Sequence, residues 1–180
     1  MKLYPDQIPV FPLSGVIYFP KTNLPLNIFE KRYLNLVNDA IKKNKLMGMI
    51  QSKKKDGEVY NVGCLGKISD YKKSSDGRIL INLTGITRFE ILQEVENSKL
   101  YREFKVKYEK FTLDLKPVIE VVKIESLMQK VKIFFNKSGL LLNWKEFEKL
   151  EIVQKIDTLS MIAPVTIEEK QKLLEATSLT

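Results

Sequence analysis

The chain has 180 residues, with 30 lysines and arginines against 22 acidic residues, a formal net charge of +8, one cysteine and no histidine. That length carries one sizeable domain, or a domain with a smaller appendage. Without histidine, Ser-His-Asp and Cys-His catalysis and the commonest transition-metal ligand are excluded, and the lone Cys64 excludes an intrachain disulfide or a Cys-rich zinc site.

The N-terminus is proline-rich, with Pro5, Pro9, Pro12, Pro20 and Pro25. Between them Ile8 to Leu13 and Leu24 to Phe29 predict edge or irregular strands, because proline cannot donate to a ladder. Tyr33, Leu36, Val37, Ala40 and Ile41 recur at helical spacing, with Lys31, Asn35, Asp39, Lys42 and Lys43 opposite. That spacing predicts an amphipathic helix of about three turns over one end of a sheet. Leu46 to Gln51 reads as the next strand, and Lys53 to Glu58 as a charged loop with Asp56-Gly57 at its tip.

Val59 to Val62 leads into the stretch on which the rest depends, Gly63 to Leu92. Two strand-like arms flank a polar turn, Lys72 to Gly77, and Asp76-Gly77 is a strong hairpin signal. In the second arm Ile79, Ile81, Leu83, Phe89 and Ile91 share one parity, and Asn82, Thr84, Arg88 and Glu90 share the other. One face therefore meets a core and the other lies near solvent. Gly85 interrupts this arm as a bulge or close backbone approach would. Gly63 and Gly66 read the same way, and Cys64 as a small buried hydrophobe. A long hairpin bent at its middle is what a small barrel needs to close, and Phe104 to Tyr108 alternates as its closing strand.

Pro117 marks a change of period, since proline suits the first turn of a helix. From Val118 to Lys137 the apolar residues at 124, 127, 128, 131, 134 and 135 form a helical stripe, ended by Gly139. A second helix is predicted over 145–162, with Pro164 beyond it, and a third from Thr166, where Thr166 and Glu169 have capping-box spacing.

No phosphate loop or dinucleotide fingerprint occurs; Gly63-Cys64-Leu65-Gly66-Lys67 lacks the loop length and the Ser/Thr. No acidic cluster has calcium-loop spacing, no apolar run approaches the ~18 residues of a membrane span, and Met1 to Pro5 starts no signal peptide, so the expected location is the cytoplasm. The basic charge is nearly all lysine: Arg32, Arg78, Arg88 and Arg102 are the only arginines. A lysine-rich solvated surface accounts for that, since arginine is the residue that forks onto phosphate and guanine.

Three blocks resemble the N-terminal domain of Lon proteases. They are Ile8 to Pro20 (IPVFPLSGVIYFP) with Leu24 to Tyr33 (LPLNIFEKRY); Val62 to Ile68 (VGCLGKI) with Leu83 to Phe89 (LTGITRF); and Ala163-Pro164 with Glu168 to Glu175 (EEKQKLLE). The resemblance implies an α+β fold, a PUA-like pseudo-barrel of mostly antiparallel strands with one helix, followed by a C-terminal helical subdomain. The division expected is 1–115 for the barrel and 116–180 for three helices. It also implies a module that selects protein substrates upstream of an ATPase and a Ser-Lys protease. Motifs of neither catalytic module occur here, so the chain reads as a free-standing or excised substrate-binding domain and the proteolytic chemistry is not carried over. The expectation is a non-enzymatic protein with no cofactor, no metal and no membrane partner. It would bind unfolded or tagged polypeptides, or a partner protease or chaperone.

A surface that grips many unfolded chains is apolar and adaptable. The candidates are Phe11, Tyr18 and Phe19 among the prolines, Met47 and Met49 beside the charged loop, and Phe29 with Arg32 and Tyr33 in the best-matched block. Arg88 on the hairpin and Trp144 with Met128 and Met161 in the tail complete them. The competing reading keeps the methionines and aromatics in the core, with Phe29 ending a buried strand, Tyr33 facing the core and Arg88 in an ion pair with Glu30 or neighbours of Glu90. Strand addition at an open sheet edge is the other binding mode. An RNA-binding barrel is the alternative from a different class, because PUA-like barrels recur in RNA modification; steep salt dependence would mark it.

Overall fold

A computed structural model of the chain describes residues 3–53, 57–115, 125–139 and 141–177. The long hairpin forms as its alternation predicts. Strands β4 (Val59–Lys73) and β5 (Ile79–Val95) pair antiparallel, and every second residue of β5 from Ile79 to Phe89 is buried. At the turn the Ser74 N–H donates to the Arg78 carbonyl at 2.9 Å, and Gly77 takes φ +86°.

Before the hairpin come β1 (Gln7–Leu13), β2 (Asn23–Ile28), α1 (Lys31–Lys42) and β3 (Leu46–Ser52); after it comes β6 (Arg102–Lys107). The sheet order is β2-β5-β4-β3-β1-β6, and β6 returns to pair with β5. Five strands therefore close a ring, with β2 attached outside it. The β1–β3 pair is parallel and the remaining pairs are antiparallel.

Closure requires β5 to change neighbours. Its first part, Ile79–Thr84, pairs with β2, and its last part, Glu90–Val95, pairs with β6. The change falls at Gly85, whose N–H donates to the Thr22 carbonyl and whose carbonyl accepts from the Lys21 N–H, each at 2.9 Å. A Cβ at this position would land on the Phe19 carbonyl oxygen, so only glycine permits the approach.

The prolines act more locally than an edge assignment implies. β1 lies between β3 and β6, but Gln7–Val10 pairs with β6 and Val10–Leu13 with β3. Pro9 and Pro12 thus occupy halves of the strand with one free side, where a missing N–H costs least. Among the described residues β2, which carries Pro25, pairs only with β5, at the sheet edge as expected.

All five ring strands contribute to the cluster Ile8, Val10, Ile50, Leu65, Phe89, Phe104 and Val106, which is the barrel interior. On the outer face α1 lays Tyr33, Leu36, Val37 and Ala40 against Phe11, Met47, Met49 and Cys64. Enclosing each large apolar side chain contributes about 1.5–3 kcal/mol, so this double-sided burial dominates the barrel's stability.

The helical region comprises α2 (Glu125–Lys137), α3 (Trp144–Phe147), α4 (Ile152–Ile162) and α5 (Ile167–Glu175), after a kinked 3-10 segment, Glu109–Leu115. The single helix predicted over 145–162 is divided into α3 and α4. Glu151 takes extended backbone and donates its N–H to Gln154 Oε1 at 3.2 Å, which starts α4 afresh. α5 begins on the predicted box: the Glu169 N–H reaches Thr166 Oγ1 at 3.2 Å, and the Thr166 N–H reaches Glu169 Oε2 at 2.8 Å. The helix start expected at Pro117, the boundary with it, and Asp56 at the loop tip lie outside the described residues. Among the described residues no helix is long and apolar enough to cross a membrane.

Candidate polypeptide-binding surface

Phe11, Tyr18, Phe19, Met47 and Met49 are at most 7% exposed. Phe11 packs edge-on against Tyr33, ring centroids 4.2 Å apart, and the two methionines share that cluster beneath α1. Phe19 lies in a separate cluster with Ile17, Val62, Phe111 and Leu174, where α5 meets the barrel. None of the five presents its side chain at the surface, because the face each occupies is covered by the chain's own elements. Phe29 corrects the reading that it ends a buried strand: it follows β2 and is 66% exposed, while Tyr33 is buried as that reading held. Trp144 is half-buried between Phe135 and Phe147, at centroid distances of 5.7 and 5.6 Å. These residues do not converge on one surface.

Arg88 makes an ion pair, with a partner other than those expected. Its guanidinium meets Asp114 on the 3-10 segment, Nη2 to Oδ1 at 2.7 Å and Nε to Oδ2 at 3.0 Å, and Asp114 Oδ2 also accepts the Arg88 backbone N–H at 2.8 Å. Glu30 instead pairs with Arg32 at 2.8 Å. Arg88 Nη1 donates to the Leu174 carbonyl at 2.9 Å and to that of Ala176, so it satisfies carbonyls at the C-terminal end of α5. The guanidinium lies 4.5 Å from the centroid of the Phe111 ring. Beside it, Gln51 of β3 donates Nε2 to Gln171 Oε1 at 3.0 Å, and Gln171 of α5 donates to the Val62 carbonyl at 3.2 Å. Together these groups form the joint that fastens the helical region to the barrel.

Asp157 of α4 belongs to the same joint. Burial pushes its carboxyl up to about 7, with Arg88 and Lys21 opposing the shift and the Asp114 charge adding to it. One guanidinium already committed to Asp114 leaves the second carboxyl undercompensated. No local signal pointed to Asp114, Asp157, Gln51 or Gln171, since the paired residues lie 26 positions apart for Arg88–Asp114 and 120 for Gln51–Gln171. Cys64 offers no nucleophile, because burial pushes its thiol well up. Among the described residues no group of three or more potential metal ligands assembles.

The apolar surface lies on α2. Met128, Val131 and Phe135 turn toward Phe147, Leu150 and Leu159 in a small core of the helical region. The stripe read from sequence is wider than that core can cover. Leu127, Ile133 and Phe134 are 46%, 56% and 47% exposed, and Leu141 just beyond the helix is 99% exposed. Leu127 and Phe134 are seven residues apart, hence on one line along the helix, with exposed Lys130 between them and Lys137 one turn on. Adjacent apolar pairs at 127/128 and 134/135 were the sequence signal for this second face.

The profile of the ATP-dependent protease La (LON) substrate-binding domain matches residues 7–180. The Lon protease of Syntrophus aciditrophicus is 24% identical over 187 residues, and that of Dictyoglomus thermophilum 26% identical over 183. Each alignment covers 95% of this chain but only 23% and 22% of the respective relative, so the chain spans less than a quarter of these curated relatives. A Lon N-terminal domain protein from Xanthomonas campestris has a TM-score of 0.69 at 20% identity, and the N-terminal domain of Mycobacterium avium complex Lon protease 0.67 at 15%. Both cover 96% of this chain and 91% of their own. At those identities the likeness is one of fold, an α+β arrangement of a mixed sheet with helices. The RNA-binding alternative finds no support in these matches.

Proposed function

Because the chain belongs to the family of Lon substrate-binding domains, we propose that it is a non-catalytic module that binds unfolded or tagged polypeptides, or the surface of a partner protease. The observation that carries this reading is the exposed face of α2, where Leu127, Ile133 and Phe134 stand in solvent while the barrel encloses its inward-facing side chains. Contiguous exposed apolar area beside polar residues marks interaction surfaces. In this reading the barrel, residues 1–115, is the scaffold and residues 116–180 form the binding part. A cytoplasmic setting belongs to the same reading.

The contact would be shallow. Each exposed leucine or phenylalanine contributes at most about 1.5–3 kcal/mol when covered, so affinity per segment is modest and many sequences are accepted. The lysine-rich surface adds long-range attraction for acidic chains. The free side of β2, with exposed Phe29 at its end, offers backbone pairing to an extended segment as a second foothold.

The test is binding of a labelled, permanently unfolded protein at low and at high salt, with a structured RNA as competitor. Binding that persists at high salt, resists RNA and weakens several-fold in the Leu127→Ser, Phe134→Ser variant is expected. Absence of binding, or binding that salt abolishes and RNA displaces, would overturn the reading.

A further inference from the structure

Resting on the reading above, we infer that the α2 face discriminates among unfolded chains by charge, taking segments whose apolar residues are interleaved with carboxylates and rejecting those interleaved with lysine or arginine. The observation is where the cations sit. Lys130 lies three residues after Leu127, three before Ile133 and four before Phe134; Lys137 lies four after Ile133 and three after Phe134. On a helix these are nearest neighbours, so each exposed apolar side chain has an ammonium within one turn.

These two lysines differ from others on the same region. Lys132, on the opposite flank of α2, is held by Glu148 at 2.7 Å, and Lys149 is held by Glu146 at 2.8 Å. Among the described residues no carboxylate pairs with Lys130 or Lys137, and α2 has no acidic residue after Glu125. On α2, then, the neutralised cation flanks the small core, and the two unneutralised ones stand among the exposed apolar side chains.

That pattern selects the occupant. Covering Leu127 and Phe134 removes water from around both ammonium groups, which strengthens their interaction with whatever charge the covering segment carries. An acidic residue one turn from the partner's apolar contact would pair with them, and a basic one would be repelled. A second copy of this chain is disfavoured for the same reason, since it would bring Lys130 and Lys137 against their own kind.

The experiment uses the full chain and three labelled, unstructured peptides with identical leucine and phenylalanine positions and with intervening residues all Glu, all Ser or all Lys. Anisotropy titrations should rank the affinities Glu over Ser over Lys, with a Glu-to-Lys ratio on the order of tenfold at low salt that shrinks at high salt. Lys130→Gln, Lys137→Gln should collapse the ratio, weakening the Glu peptide and tightening the Lys peptide. Lys72→Gln, Lys73→Gln on the hairpin removes the same net charge elsewhere and should keep it. Equal affinity for the Glu and Lys peptides would overturn the charge selection but leave polypeptide binding intact. A ratio that survives in the Lys130/Lys137 variant, or falls equally in the Lys72/Lys73 variant, would assign it to net charge and overturn the α2 site. Binding of none of the three would overturn the reading on which it rests.

Discussion

In the barrel, apolar side chains are enclosed on one face of the strands by the ring interior and on the other by α1, and Phe29, Leu80 and Leu92 are exposed exceptions. Among the described residues of the helical region, only Phe135, Phe147 and Leu159 are buried in a core of its own, while Leu127, Ile133, Phe134 and Leu141 face solvent. The difference follows from how each part satisfies its backbone. A closed ring settles its hydrogen bonds by pairing strands, and closure itself creates an enclosed space. Helices of 4–13 residues settle theirs internally and are too short to be stable alone, so they depend on docking. The barrel can therefore serve as a rigid support, and the helices can keep apolar surface available for a partner.

The sharpest way to break that contrast is at the point where the ring closes. Gly85→Val forces side-chain atoms into the Phe19 carbonyl and parts β5 from the Lys21–Thr22 segment. A loss of at least about 3 kcal/mol is expected, read as a large drop in the denaturation midpoint and loss of near-ultraviolet ellipticity. Retention of a near-parental midpoint would mean that the ring tolerates opening there, and the barrel would lose its standing as the rigid half.

That closure was only half legible in advance. The hairpin and α1 could be read because period two and period 3.6 are local properties, written within a dozen residues of each other. Gly85 was legible as an interruption, but which backbone it approaches depends on Phe19, far away in sequence. The parallel β1–β3 pair and the return of β6 to β5 join distant segments, and no local pattern records such pairing. The same limit applies to the candidate binding residues. Phe11, Met47 and Met49 look like adaptable surface when read beside prolines and lysines, yet they sit on strands whose outer face α1 covers. α2 shows the limit in the opposite sense: its apolar positions read as one helical stripe, whereas the small core receives Met128, Val131 and Phe135 and leaves Leu127 and Phe134 in solvent.

A smaller effect is expected at the joint, and pH reveals it. Folding raises the Asp157 carboxyl from its ordinary 3.8 to about 7, so between those values the folded protein holds a proton that the unfolded chain has released. Stability from this group is complete at low pH, declines as pH rises through that window, and is lost above it. Asp157→Asn should remove the decline and leave the variant more stable than the parent by roughly 2–4 kcal/mol at about pH 8, with little difference at about pH 4. Denaturation midpoints across that range would check it. A slope identical in both proteins would mean that Asp157 is solvated and has no part in the joint between the helical region and the barrel.

The smallest expected effect sharpens the comparison from the barrel's side. Tyr18 is 2% exposed, and its hydroxyl is a buried polar group without a hydrogen-bond partner among the described residues. Burial accordingly drives its ionisation far up, so it is a neutral, unpaired phenol. Leaving such a group unsatisfied costs about 1–3 kcal/mol, whereas phenylalanine keeps the ring's packing and removes the polar atom. Tyr18→Phe should thus be neutral or stabilising by up to about 1 kcal/mol, against the general trend that core substitutions destabilise. Tyr108→Phe is the control, because the Tyr108 hydroxyl donates to the Pro5 carbonyl at 2.7 Å and its loss should cost about 1 kcal/mol. If the two changes cost the same, Tyr18 has a partner after all, and the outer-face core beneath α1 is as fully satisfied as the ring interior. If they diverge in sign, Tyr18 is a misfit within the barrel's tight enclosure, seated beside Gly66 and Leu83 where the hairpin turns its apolar face to α1.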